Sequence, residues 1–116
     1  MNRDIKFRGK LVNSKEWTEG NLCIRVDDTY IITPDETILG KYGKVNKETV
    51  GQYTGLHDKN EKKIYEGDIV RIKNSLIEIE GEVVFDTIDL AFEIYDKEND
   101  CKKILWYTNK EFEVLR

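Results

Sequence analysis

The sequence is short of the residues that most chemistry needs. Its 116 residues include one histidine, His57, one proline, Pro34, and two cysteines, Cys23 and Cys101. With one histidine, any Ser–His or Cys–His pair must use His57. The two cysteines lack CxxC spacing and a histidine neighbour, which argues against a zinc site. In a reducing compartment they read as packed or exposed thiols rather than as a disulfide. One proline and no low-complexity stretch argue against a long linker. No run approaches the roughly 20 apolar residues that cross a bilayer. The opening Met1-Asn2-Arg3-Asp4-Ile5-Lys6 lacks the apolar core of a secretory signal. The expected location is therefore cytoplasmic.

The apolar fraction is 39% and the charged fraction 36%. A chain of this length buries only about two-thirds of its unfolded surface, so the core must be lean. The net charge of −4 is unevenly placed: residues 1–55 carry +1 and residues 56–116 carry −5. Duplex binding usually needs a basic face, because phosphate neutralisation supplies most nonspecific affinity. The balance argues against general nucleic-acid binding and leaves room for a local basic patch.

Periodicity of two dominates the chain. Ile5, Phe7 and Gly9 alternate with Lys6, Arg8 and Lys10, as in a half-buried strand. After the turn residues Asn13-Ser14-Lys15, a second strand runs from Trp17 to Val26, with a bend expected at Gly20. Thr29 to Ile32 is a third. Thr33-Pro34-Asp35-Glu36 has the residues of a helix start, but Gly40 limits it to one short turn or a loop. Lys41 to Lys47 reads as a mobile connection. Thr49–Leu56, Lys63–Tyr65, Ile69–Ile72, Ile77–Phe85, Leu90–Tyr95, Ile104–Tyr107 and Phe112–Leu115 follow as strands, and Ile77–Phe85 gives the longest strand signal. No window carries a helical stripe. The expected fold is all-β, with an N-terminal β-meander portion over residues 1–48. Residues 49–116 are expected to form a leading strand and a small, strongly bent barrel of the SH3 type. The two portions could also pack as one unit.

The segment Val50 to Ile72 resembles the signature of the YopX family of phage and prophage proteins. In that pattern Gln-Tyr-Thr-Gly-Leu precedes an acidic-lysine-asparagine turn and then Ile-Tyr-Glu-Gly-Asp-Ile-Val. The matching residues are Gln52 to Leu56, Asp58 to Asn60, and Ile64 to Val70. Arg3-Asp4-Ile5-Lys6-Phe7-Arg8 is similar to the family's opening. The resemblance implies an N-terminal β portion joined to an SH3-like barrel, a phage or prophage origin, and expression inside a bacterial host. It implies no catalytic residues, the family having none assigned. Family members commonly have glycine after the turn asparagine, where this chain has Glu61. An Asn-Gly pair favours a two-residue turn. With Glu61, either Asn60 alone is left-handed or the loop is longer.

Candidate chemistry is thin. His57 beside Asp58 has the form of an oriented base, and the simpler reading is a solvated turn. Ser14 and Ser75 lie in expected turns without a nucleophile elbow. Glu78, Glu80 and Glu82 share one strand face. Residues two apart on a strand are roughly 7 Å from each other, too splayed for a compact metal site and well suited to discourage edge pairing. Gly40-Lys41-Tyr42-Gly43-Lys44 fails the phosphate-loop pattern at Ile38 and Val45. Even so, Lys41, Tyr42, Lys44 and Lys47 form a basic-aromatic cluster able to touch a partner or a nucleic acid. Arg3, Lys6, Arg8 and Lys10 offer a second basic face. Asp68 after Gly67 suits a turn lock that accepts backbone N–H bonds. Gln52, Tyr53, Gly55, Leu56, Tyr65, Gly67 and Asp68 form a structural signature. Trp17, Tyr53, Tyr65 and Trp106 are expected to be mostly core, any exposed group of them marking a contact surface.

The expected function is that of a phage or prophage accessory protein, a non-enzymatic protein-binding or self-assembling module. No catalytic residue, cofactor or metal is expected. The partner would be the protein's own copies or a host or phage factor. Nucleic-acid binding by a small barrel is the alternative, and an uncharacterised enzyme the third reading.

Overall fold

The structure is a computed structural model that describes residues 5–33, 41–73, 78–88, 90–98, 101–104 and 112–115. The described residues contain ten strands and no helix: β1 (Phe7–Leu11), β2 (Trp17–Ile24), β3 (Thr29–Thr33), β4 (Lys41–His57), β5 (Lys63–Tyr65), β6 (Ile69–Lys73), β7 (Glu78–Asp86), β8 (Ala91–Asp96), β9 (Cys101–Ile104) and β10 (Phe112–Val114). The all-β expectation holds, and the strands form two antiparallel sheets. The expected helical turn after Thr33 lies outside the described residues, as do Pro34, Ser75 and Trp106.

Contacts gather the chain into two compact units, Met1–Tyr53 and Thr54–Arg116. The junction lies inside β4, as does the sequence-expected boundary after residue 48.

In the first unit the strands close on themselves. β1 pairs with β2, β2 with β3, β3 with β4, and β4 returns to β1. Closure covers most of the edges that an open meander would expose. β2 serves two neighbours in turn, Trp17 to Gly20 facing β1 and Asn21 to Ile24 facing β3. Gly20 stands at the change of partner, and a side chain there would collide with the Ile32 carbonyl. Its role is thus close backbone approach. The interior holds Ile31 and Val45, with Gly9 against Val45.

The segment expected to be a mobile connection, Lys41 to Lys47, is instead part of β4, the longest strand, and its first five residues pair with β3. Glycine and lysine disfavour a strand locally, but ladder hydrogen bonds to a neighbour override such weak preferences. The register between β1 and β4 slips between Arg8 and Lys10. There Thr49 Oγ1 accepts the Lys10 N–H at 2.8 Å and donates to the Asn46 carbonyl at 2.6 Å.

The second unit contains the sheet β10-β6-β7-β8-β9 and β5, which pairs with the end of β4. A last strand lying beside the first of a meander fits the SH3-type expectation without establishing closure. Ile64, Val70, Ile72, Val83, Ile94 and Val114 form the core, with Leu56 and Phe92 packed against it. Each such side chain stabilises the fold by about 1.5–3 kcal/mol when fully buried. Gly67 has φ +95°, a conformation that glycine adopts at little cost. It turns β5 into β6, and its N–H donates to the Val83 carbonyl at 2.8 Å.

The turn after β4 settles the question left by Glu61. Its backbone is left-handed, with φ 63°, and Asn60 is not among the positive-φ residues. The loop runs from Asp58 to Lys62, whose carbonyl accepts the Asp58 N–H at 2.8 Å. A non-glycine residue in this conformation costs about 1–2 kcal/mol, and glycine's extra unfolded freedom offsets about half of that. Glu61→Gly is therefore expected to stabilise the protein by about 0.5–1 kcal/mol, read as a higher urea midpoint. An unchanged or lower midpoint would contradict this account.

Candidate functional site

Among the described residues, four of the five buried acidic side chains, Asp58, Asp68, Asp86 and Asp96, accept backbone N–H groups, the fifth being Glu93. Asp58 is 3% exposed. Its Oδ1 accepts the Asn60 and Lys62 N–H groups, both at 2.8 Å, and its Oδ2 accepts the Val114 N–H at 3.0 Å. Burial raises this carboxyl's pKa, but the three N–H donors and the nearby Lys62 charge outweigh it and leave the value below the usual carboxylate range. Asp68, fully buried, accepts the Tyr65 N–H at 2.8 Å and donates its own N–H to the Tyr65 carbonyl. That is the turn lock its sequence position suggests. Asp86 and Asp96 cap the turns after β7 and β8 by accepting the Ile88 and Glu98 N–H groups.

His57 ends β4 half-buried, while the oxygens of neighbouring Asp58 are held by backbone donors. Tyr53 and Tyr65 are buried, as expected. Leu56 packs on the core of the second unit, and Gln52 is paired opposite Phe7. Gly55, like Gly67, has a positive φ. Cys23 is a half-buried free thiol on β2.

Three surface features remain. The first is the outer face of β1 and β2. Lys10 lies opposite Trp17 and Arg8 opposite Glu19. Trp17 is 49% exposed, the exposed member of an aromatic set expected to be mostly core. The Arg8 guanidinium sits 4.2 Å and the Lys10 ammonium 5.1 Å from its ring centre, within cation–π range. Lys6 on the same face pairs with Glu19 at 3.6 Å. The strand alternation of Lys6, Arg8 and Lys10 was readable. Their meeting with Trp17 needed the hairpin register.

The second feature is an open groove of about 620 Å³ beside β7, lined by Glu78, Glu80, Glu82, Ile69, Tyr95 and Glu98 among others. Its glutamates are exposed, and no group of three or more His, Cys, Asp or Glu among the described residues is placed to hold a metal ion. The third is the β7–β8 hairpin tip. Ile88 is 90% and Leu90 74% exposed, next to an exposed Phe85 that stacks edge-on against Phe92 at 5.1 Å. Leu90, expected to begin a strand, is a left-handed turn residue with φ 53°, and β8 starts at Ala91.

The residues of the basic-aromatic cluster, Lys41, Tyr42, Lys44 and Lys47, all lie on β4. Lys41 and Tyr42 pair with β3 through their backbones. Lys44 bonds Asp28 at 2.9 Å, and that hydrogen-bonded charge raises its pKa. Lys47 is exposed. Arg3 lies outside the described residues.

The sequence model of one family, described as YopX protein, matches residues 6–115. The chain belongs to the YopX family. No curated protein matches it. The match spans both compact units of this YopX-family chain, with the Gln52–Leu56 and Ile64–Val70 segments near its middle. Among the described residues, no helix is long and apolar enough to cross a membrane.

Asp58 carries a pH prediction. Its folded pKa is depressed, so the stability it contributes is fully present above its unfolded value of about 3.9 and lost as pH falls through the folded value. Asp58→Asn is expected to destabilise the chain at neutral pH by about 2–3 kcal/mol, the scale of charge-assisted hydrogen bonds. It should also flatten the acid limb below about pH 4. Urea unfolding from acid to neutral pH checks both; a variant that keeps the wild-type acid limb would refute the assignment.

Proposed function

We propose that this YopX-family chain is a non-enzymatic binding or assembly module, carried by a phage or prophage and acting in the bacterial cytoplasm. Its partner is protein: its own copies, or a host or phage factor. The observation that supports this reading is the β7–β8 tip, where Ile88 and Leu90, two residues apart, are 90% and 74% exposed and Phe85 at the end of β7 is 41% exposed. Grouped apolar side chains on a small soluble domain are characteristic of contact surfaces. Leu90 sits in a backbone conformation that costs a side-chain-bearing residue about 1–2 kcal/mol. Placing leucine where glycine would be easier favours display over stability. The buried aspartates are bound to backbone N–H groups, which makes them parts of the scaffold.

Ile88→Ser with Leu90→Gly is expected to leave the fold as stable or up to about 1 kcal/mol more so, while reducing association. Light scattering on the purified chain, and capture from infected or induced cells with wild-type and variant baits side by side, provide the check. A wild-type chain that stays monomeric and captures the same proteins as the variant would sink the reading.

The Arg8–Trp17–Lys10 face favours a second reading, single-stranded nucleic-acid binding, since stacking on aromatics beside cations is how such strands are held. It predicts salt-sensitive binding of labelled single-stranded oligonucleotides, lost in Trp17→Ala. Fluorescence anisotropy at two salt concentrations decides it, and absent or salt-independent binding eliminates it.

A further inference from the structure

The chain carries two strand faces of matching pitch and opposite sign. On β1, Lys6, Arg8 and Lys10 alternate toward one side, with Trp17 across from Lys10. On β7, Glu78, Glu80 and Glu82 do the same and are all exposed. Residues two apart on any strand are roughly 7 Å from each other, so the rows share one spacing wherever they meet. The glutamate row is unevenly balanced within its own sheet. Lys73 stands opposite Glu78 and Arg71 opposite Glu80. Arg71 is drawn aside to Glu113, 2.6 Å away. Glu82 has Ile69 directly opposite on β6 and Tyr95 directly opposite on β8, while Lys97 lines the groove further along. Glu98 lines the same groove. An acidic position framed by an isoleucine and a tyrosine matches a cation framed by a tryptophan.

We infer that the β1–β2 face of one copy docks on the β7 groove of a second copy, with Arg8 and Lys10 meeting Glu80 and Glu82 and Trp17 lying on Ile69 and Tyr95. The inference rests on the protein-binding reading and names the partner as a second copy of this chain. The contact is heterologous, because the two surfaces differ, so repetition gives a ring or an open row. Charge sets the register and the encounter rate, and the tryptophan is the anchor.

The test uses the full chain. Light scattering should show mass rising with concentration at low salt and falling toward monomer at high salt, where exposed charges are screened. Lys10→Glu and Glu82→Lys should each weaken association at least about tenfold, since each places like charges together. An equimolar mixture of the two variants should associate again, because the intact groove of the first meets the intact β1–β2 face of the second. Recovery on mixing also shows that neither variant failed by unfolding. The inference is overturned by a wild-type chain that stays monomeric at low salt up to on the order of 100 µM, and by variants that do not regain association on mixing. It is also overturned by association that survives both reversals, or by a β1–β2 face that takes a single-stranded oligonucleotide in place of a second copy. Association that survives both reversals leaves the protein-binding reading standing and removes this contact alone.

Discussion

Three backbone N–H groups converge on one buried carboxylate, Asp58, and two of the shortest elements depend on it. β5 and β10 each have three residues, too few for their ladders to hold them alone when each hydrogen bond nets about 1 kcal/mol. Asp58 Oδ1 closes the turn that leads into β5, and Oδ2 reaches Val114 on β10, 56 positions along the chain. A charged acceptor is worth roughly twice a neutral one. The same carboxylate thus fixes a local turn and a distant strand. Asp68 repeats the device at the next corner, between Tyr65 and Ile69. With six side chains in the buried core cluster, the second unit relies on these anchored corners to define its strand ends.

How far the sequence disclosed this depended on whether the deciding interaction was local. Alternation of apolar and polar residues located β1 and β7, because burial on one face of a strand imposes a period of two whatever the partner. Asp68 was legible as a turn lock, since its acceptor role acts three residues away at Tyr65. The first part of β4 was not. Its glycines and lysines read as a connection, and only pairing with β3 makes Lys41 to Val45 extended. Asp58 read as part of a solvated turn, and its anchoring role was hidden because its long-range partner, Val114, contributes only a backbone N–H. A backbone N–H is invisible in a sequence. The candidate surfaces divide in the same way: the charge rows could be read from alternation, whereas Trp17 joined them only through cross-strand register.

The two left-handed residues Glu61 and Leu90 place the same backbone cost in different settings. At Glu61 the turn geometry is dictated by the Asp58–Lys62 closure, so the side chain is incidental and glycine suits the position better. At Leu90 the tip is open, and a large apolar side chain stands almost fully in water. Nothing in the core of the second unit gains from that placement. A side chain kept where it costs both backbone strain and solvent exposure is what motivates the proposed contact surface at the tip.

Strands make such surfaces economically because the period that builds the core also sorts the exterior. Every second residue of β1 points away from Val45, and every second residue of β7 points away from Val83, so each exterior row is rigidly spaced by the ladder beneath it. Recognition by such rows needs little backbone ordering, though each long charged side chain still costs about 0.5–1.5 kcal/mol to immobilise, and it depends on sign and spacing. A contact made mainly of partly solvated charges is weak in isolation. One anchored by an aromatic ring and excluded from water is stronger, and Trp17 between its two cations is the residue in the first unit able to supply that anchor. If Trp17 finds an apolar bed on a partner, the flanking charges are desolvated with it, and their pairing then sets specificity through the heavy cost of meeting the wrong sign.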